Sequence, residues 1–103
     1  MASMSRSILQ RRLVDVSDRL KRLRADLAVV EEQVTYVTEE ADEARMRALV
    51  AETPLMEAEA REARRHAETL ARHRDALRTT IGNLEVEQDD LLDRMSAELS
   101  TQA

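Results

Sequence analysis

The chain contains no cysteine, phenylalanine or tryptophan, and Tyr36 is its only aromatic residue. Without cysteine it can form neither disulfides nor thiolate metal sites. Without large rings, its aliphatic side chains are better suited to line a narrow seam between helices than to fill a spherical core. One glycine and one proline in 103 residues leave no turn-rich segments of the kind that bound β-strands. The composition therefore predicts a single all-α domain.

Long apolar runs are missing as well. No window approaches the ~18 apolar residues of a membrane span, and the start, MASMSRSILQRRL, lacks the apolar stretch of a signal peptide. We therefore expect a cytoplasmic protein without a membrane span, and the richness in arginine and alanine indicates a bacterial source with a GC-rich genome. We expect residues 1–7 to be disordered, with residues 1–3 an addition ahead of a natural start at Met4.

Apolar residues recur at alternating steps of four and three through the first half of the chain. All thirteen positions with this spacing from Leu9 to Ala51 are apolar. A 3.5-residue repeat of this length indicates a coiled-coil seam. The first seam comprises Leu9, Leu13, Val16, Leu20, Leu23, Leu27, Val30, Val34, Val37, Ala41, Ala44, Ala48 and Ala51.

A second seam runs from Met56 to Met95, and ten of its twelve positions are apolar. The exceptions, Arg74 and Gln88, are interpreted as polar residues that fix the register of the helices. The two seams do not share one register, because the first would continue at Leu55. The second seam comprises Met56, Ala60, Ala63, Ala67, Leu70, Arg74, Leu77, Ile81, Leu84, Gln88, Leu91 and Met95.

The change of register coincides with Pro54, the only proline of the chain. Proline disfavours a helical conformation at Thr53, and Thr53 is suited to cap a new helix that has Pro54 at its first position. We therefore predict helix 1 over 8–51, a turn over 52–54 and helix 2 over 55–99.

Charged residues form four blocks that favour antiparallel pairing. The formal net charge is +4 over residues 5–26 and −4 over 27–48, then +2 over 59–80 and −5 over 81–102. A chain folded at Pro54 places each basic block against an acidic one, whereas a parallel homodimer would place like charges together. We predict an antiparallel two-helix coiled-coil hairpin that dimerises into a four-helix bundle. A domain-swapped dimer satisfies the same pattern.

Folding at Thr53 also brings particular residues together. It places Arg74 near Glu31 and Gln33, and Gln88 near Arg19. A set of arginines on helix 2 forms a candidate face for an anion or a partner protein, although the acidic block of helix 1 could equally neutralise it. These residues are Arg61, Arg65, Arg72, Arg74 and Arg78.

Apolar residues outside the seams are candidate contacts to a second hairpin or to another partner. The residues proposed for this role are Val29, Tyr36, Val50, Val86 and Leu92. Gly82 lies in a segment of weak helix formers, RTTIGNLE, and is interpreted either as a hinge or as a tolerated glycine on a solvent face.

No pattern of residues indicates catalysis, a cofactor or a metal. His66 and His73 are seven apart, which is not the i, i+3 or i+4 spacing of ligands on a helix. We expect a non-enzymatic scaffold or adaptor that binds itself and an unidentified protein, with neither nucleic acid nor a small molecule as its ligand. The alternative is a regulatory protein that sequesters a transcription or signalling factor and is gated by a nucleotide or another anion.

Overall fold

The computed structural model describes residues 5–102, with the side chain of Gln102 excepted. Two helices, α1 (Arg6–Ala51) and α2 (Pro54–Gln102), account for almost all of these residues. No β-strand occurs in the described range. The predicted all-α helical hairpin is confirmed at this level.

Both helices extend beyond their predicted ends. Residues 6–7 are helical rather than disordered, because Ser5 caps α1: Ile8 N donates to Ser5 Oγ at 3.4 Å, and Leu9 N donates to the Ser5 carbonyl at 3.0 Å. The prediction of a disordered segment is thus wrong for these two residues, and its remainder up to Met4 lies outside the described range. Helix α2 begins at Pro54 and continues to residue 102, three residues past the predicted end.

Two residues, Glu52 and Thr53, connect the helices. Glu52 has a left-handed φ of 53°, and its N–H donates to the Ala48 carbonyl at 3.0 Å, which closes the last turn of α1. Thr53 then caps α2, since its Oγ1 accepts from Met56 N at 3.2 Å and its carbonyl accepts from Glu57 N at 3.1 Å. A C-terminal cap and an N-terminal cap on adjacent residues make this turn short.

We expect Thr53→Ala to lower the free energy of unfolding by about 1 kcal/mol, because it leaves the amide of Met56 without its side-chain acceptor. Urea denaturation followed by circular dichroism measures this change. Thr38→Ala, at an exposed position inside α1, is the matched control and should be neutral or slightly stabilising. Equal stabilities for Thr53→Ala and the wild type would show that the cap contributes nothing.

The burial of side chains follows the two seams. Every second-seam residue is buried or half-buried, and so is every first-seam residue except Ala51, beside the turn. Helix pairing along the predicted heptad positions is therefore confirmed. Within the described residues, no other large apolar side chain reaches the burial of the seams.

The chain divides into two compact units, and the terminal unit combines α1 up to Ala25 with α2 from Thr79 onward. Its polar contacts between helices include a hydrogen bond from Gln88 Nε2 to Ser17 Oγ at 3.0 Å and a salt bridge between Arg24 and Glu85 at 3.5 Å. Gln88 thus reaches Ser17 rather than Arg19. Both helices contribute to the core, which consists of Leu9, Val16, Leu20, Ile81, Leu84 and Leu91.

The turn unit comprises Asp26–Arg78 and is less completely buried. Its buried residues are Val30, Val34 and Ala44, all of which belong to α1. In the α2 part of this unit no residue is buried, and the seam positions from Met56 to Leu77 are half-exposed. Alanines at three of these α2 seam positions explain the difference, because a methyl group covers little of the facing helix.

Gly82 lies within α2, and a Cβ placed on it would meet no atom within 4 Å. We therefore expect Gly82→Ala to raise the free energy of unfolding by roughly 0.5–1 kcal/mol, since alanine favours the helix and restricts the unfolded chain. Urea titration provides the measurement. The reverse change at an exposed helical site, Ala58→Gly, should lower stability by a similar amount. A destabilised Gly82→Ala variant would instead show that this glycine adopts a conformation other than helix.

Candidate interaction surfaces

The five arginines proposed as one face of α2 for an anion or a partner protein make separate contacts. Arg65 forms a salt bridge with Glu62, and Arg72 Nη2 donates to Thr69 Oγ1 at 3.1 Å. Both contacts join residues three apart on the exposed surface of α2. These two guanidinium groups therefore have partners on their own helix.

Arg74 was predicted both to lie in the seam and to approach Glu31, but two different arginines meet these two expectations. Arg74 is half-buried in the seam, and its Nε donates to Asp75 Oδ1 at 3.1 Å. The contact with Glu31 on α1 is made by Arg78, whose Nη2 donates to Glu31 Oε1 at 2.9 Å. The reason is that Arg78 follows the seam residue Leu77 and so lies at the flank of the helix pair, where Glu31 lies after Val30.

Arg61 belongs to a different set of residues, which we call the arginine groove. A cavity of about 330 Å³ in the turn unit is lined by side chains from both helices. Three arginines border it and three alanines form its apolar surface: Arg45, Arg61, Arg64, Ala41, Ala48 and Ala60. Arg45 was not predicted from the sequence to belong to an arginine face, although it directly follows the seam residue Ala44.

A second cavity in the turn unit, of about 680 Å³, is the Tyr36 groove. Its apolar lining combines Val29, Tyr36 and Val37 of α1 with Leu70 of α2, and His66 also contributes. Val29 and Tyr36 are 55% and 61% exposed. Two of the proposed partner contacts therefore lie in one groove.

A third cavity, of about 430 Å³, is the methionine groove, lined by Met46, Arg47, Val50, Ala51 and Met56. Val50 is 86% exposed, the highest value among the exposed large apolar side chains of the described range. Methionine side chains adapt to irregular partners, so that this lining suits a protein contact. Val50 was predicted from the sequence as a partner contact, whereas Met46 and Met56 were not.

The remaining two proposed contacts, Val86 and Leu92, belong to the terminal unit. Both are exposed. They directly follow or precede acidic residues of α2 and are not part of the turn unit's grooves. The five predicted contacts are thus all exposed but divided between the two units.

Acidic neighbours change the ionisation of Tyr36. The negative charge of Glu40 and a hydrogen bond to its carboxylate raise the pKa of the phenol, with smaller effects of burial and of Glu43. The phenol therefore stays protonated to higher pH in the folded chain than in the unfolded chain. Its contribution to stability is present below the ordinary pKa and is lost as pH rises through the raised pKa.

We expect Glu40→Gln to lower the pKa of Tyr36, because it removes the negative charge that raises this pKa most. Ultraviolet absorbance of the phenolate measures this directly, since the chain has one tyrosine and no tryptophan. Glu39→Gln is the matched control and should change the pKa less. Identical titration curves for Glu40→Gln and the wild type would contradict the contact.

No group of three or more histidine, aspartate or glutamate side chains in the described range is arranged to hold a metal ion. Nor does either helix, over the same residues, have the length and apolar character that crossing a bilayer requires.

Comparison with protein-family models, curated proteins and solved structures finds no match for this chain.

Proposed function

We propose that this protein is a non-enzymatic scaffold or adaptor of a bacterial cytoplasm, which associates with a second copy of itself into a four-helix bundle. The observation that carries the proposal is the incomplete core of the turn unit. Its α2 segment has no buried residue, while Val29, Tyr36 and Val50 are exposed on α1. A second hairpin over these side chains would remove them from water.

The surface area of the chain supports association. Its solvent-accessible surface is 7712 Å², whereas a compact monomer of 11.7 kDa is expected to expose about 5,900 Å². The excess of roughly 1,800 Å² per chain is larger than the ~800 Å² that each partner buries in a standard protein–protein interface. Each chain therefore exposes enough surface to form such an interface while both of its helices remain folded.

The pattern of residues on α1 indicates why the partner is a second copy. Along one stripe of this helix, Val29 is followed three residues later by Glu32, and Arg47 is followed three residues later by Val50. All four residues line the Tyr36 or methionine groove. In a two-fold antiparallel contact between two α1 helices, Val29 would meet Val50 of the second copy, and Glu32 would meet its Arg47. Symmetry forms each of these contacts twice.

A charge exchange tests this arrangement. We expect Glu32→Arg or Arg47→Glu alone to weaken self-association about tenfold, because each creates two like-charge contacts by symmetry. The double variant Glu32→Arg/Arg47→Glu should restore association close to the wild-type value. Sedimentation equilibrium over a range of protein concentrations provides the dissociation constants.

Arg72→Glu, on the exposed surface of α2 outside the three grooves, makes the same change in net charge as Arg47→Glu and should associate like the wild type. A wild-type protein that remains monomeric throughout would contradict the proposed self-association. Weakening by both single variants without recovery in the double variant would contradict the two-fold contact.

A further inference from the structure

The arginine groove places like charges opposite each other. In the turn unit, the hydrogen bond between Arg78 and Glu31 shows which flanking positions of the two helices face one another. Two heptads nearer the turn, the equivalent positions are Arg45 on α1 and Arg64 on α2. Both line the same cavity. Where the first pair has opposite charges, this pair has like charges, and like charges placed opposite each other across an interface are unfavourable.

Compensation within the chain is incomplete. Arg64 Nε donates to Glu68 at 3.1 Å, but within the described residues Arg45 and Arg61 take part in no salt bridge. Asp42 and Glu57 also line the cavity, so that its charged residues comprise three arginines and two carboxylates. With Glu68 bonded to Arg64, the charges of the groove balance, and what it offers an anion within the described residues is the two guanidinium groups of Arg45 and Arg61 that form no salt bridge.

The groove also offers apolar surface beside this charge. Ala41, Ala48 and Ala60 leave the space between the helices open, and Leu49 at its border is 63% exposed. A guanidinium group binds a carboxylate or phosphate through paired, charge-assisted hydrogen bonds. An apolar body attached to such a head group would cover the alanines and Leu49.

We propose that the arginine groove binds a small organic anion, with the head group held by Arg45 and Arg61 and a short apolar body over the alanines. The ligand class is a carboxylate or phosphate ester with an aliphatic chain. Bound there, its negative charge offsets the repulsion between Arg45 and Arg64. The groove shares no residue with the Tyr36 or methionine groove, so this site does not depend on self-association.

Titration with octanoate, followed by amide chemical shifts in ¹H–¹⁵N NMR spectra, tests the site on the intact chain. We expect saturable shifts concentrated at Ala41, Ala48 and Ala60, with Gly82 unaffected. Acetate lacks the apolar body and octanol lacks the charge, so both should bind at least about tenfold more weakly. Octyl phosphate should bind like octanoate if either head group is accepted.

Arg45→Gln and Arg61→Gln should each weaken octanoate binding about tenfold, since each removes a charge-assisted contact. Arg72→Gln is the matched control and should bind like the wild type, and circular dichroism verifies that all three variants are folded. Absence of saturable shifts with millimolar octanoate and octyl phosphate would overturn the proposal.

Two other outcomes would also overturn it. Octanoate binding that is insensitive to Arg45→Gln and Arg61→Gln would place the anion elsewhere on the chain. Shifts at the groove with a glutamate-rich helical peptide, but not with octanoate, would assign the groove to a protein partner. Arg47 lies outside the groove, and Arg47→Glu is expected to weaken self-association. Octanoate should therefore bind this variant as it binds the wild type.

Discussion

The two-residue turn at Glu52 and Thr53 is the constraint on which the rest of the structure depends. Glu52 ends α1 in a left-handed conformation, and Thr53 caps α2 without an intervening loop. Pro54 stands where its missing amide proton costs nothing, at the first position of a helix. With so short a connection the helices must run antiparallel, and the distance of each residue from the turn decides its partner. Glu31 therefore meets Arg78.

The choice of seam residues then separates the two units in character. Leucine, isoleucine and valine from both helices form a buried core in the terminal unit, whereas alanine dominates the seams beside the turn. Small side chains leave grooves between the helices. The alanine-rich seam thus has two consequences. It leaves the core of the turn unit incomplete, and we propose that a second copy completes it. It also leaves the cavity that the three arginines border.

Heptad spacing was sufficient to predict the seams, because a seam is a pattern repeated over many residues, while the change of register at Pro54 indicated the turn and the charge blocks indicated antiparallel pairing. Single contacts were harder to predict. Arg74 and Arg78 are both close to acidic residues, and the position of Arg78 at the flank of the helix pair gives it, rather than the seam residue Arg74, the bond to Glu31. The arginine groove was missed because Arg45 and Arg64 are far apart in sequence, and their relation appears only when flanking positions are compared across the helix pair. Ser5 was likewise overlooked as a cap.

Amide hydrogen exchange at several protein concentrations tests most directly whether the turn unit is incomplete in a single chain. At low concentration we expect the α2 amides between Met56 and Leu77 to exchange faster than those between Ile81 and Leu91, whose side chains include the buried core of the terminal unit. Raising the concentration should slow exchange in the first group as a second copy covers it. Equal protection of both groups, unchanged by concentration, would contradict this view.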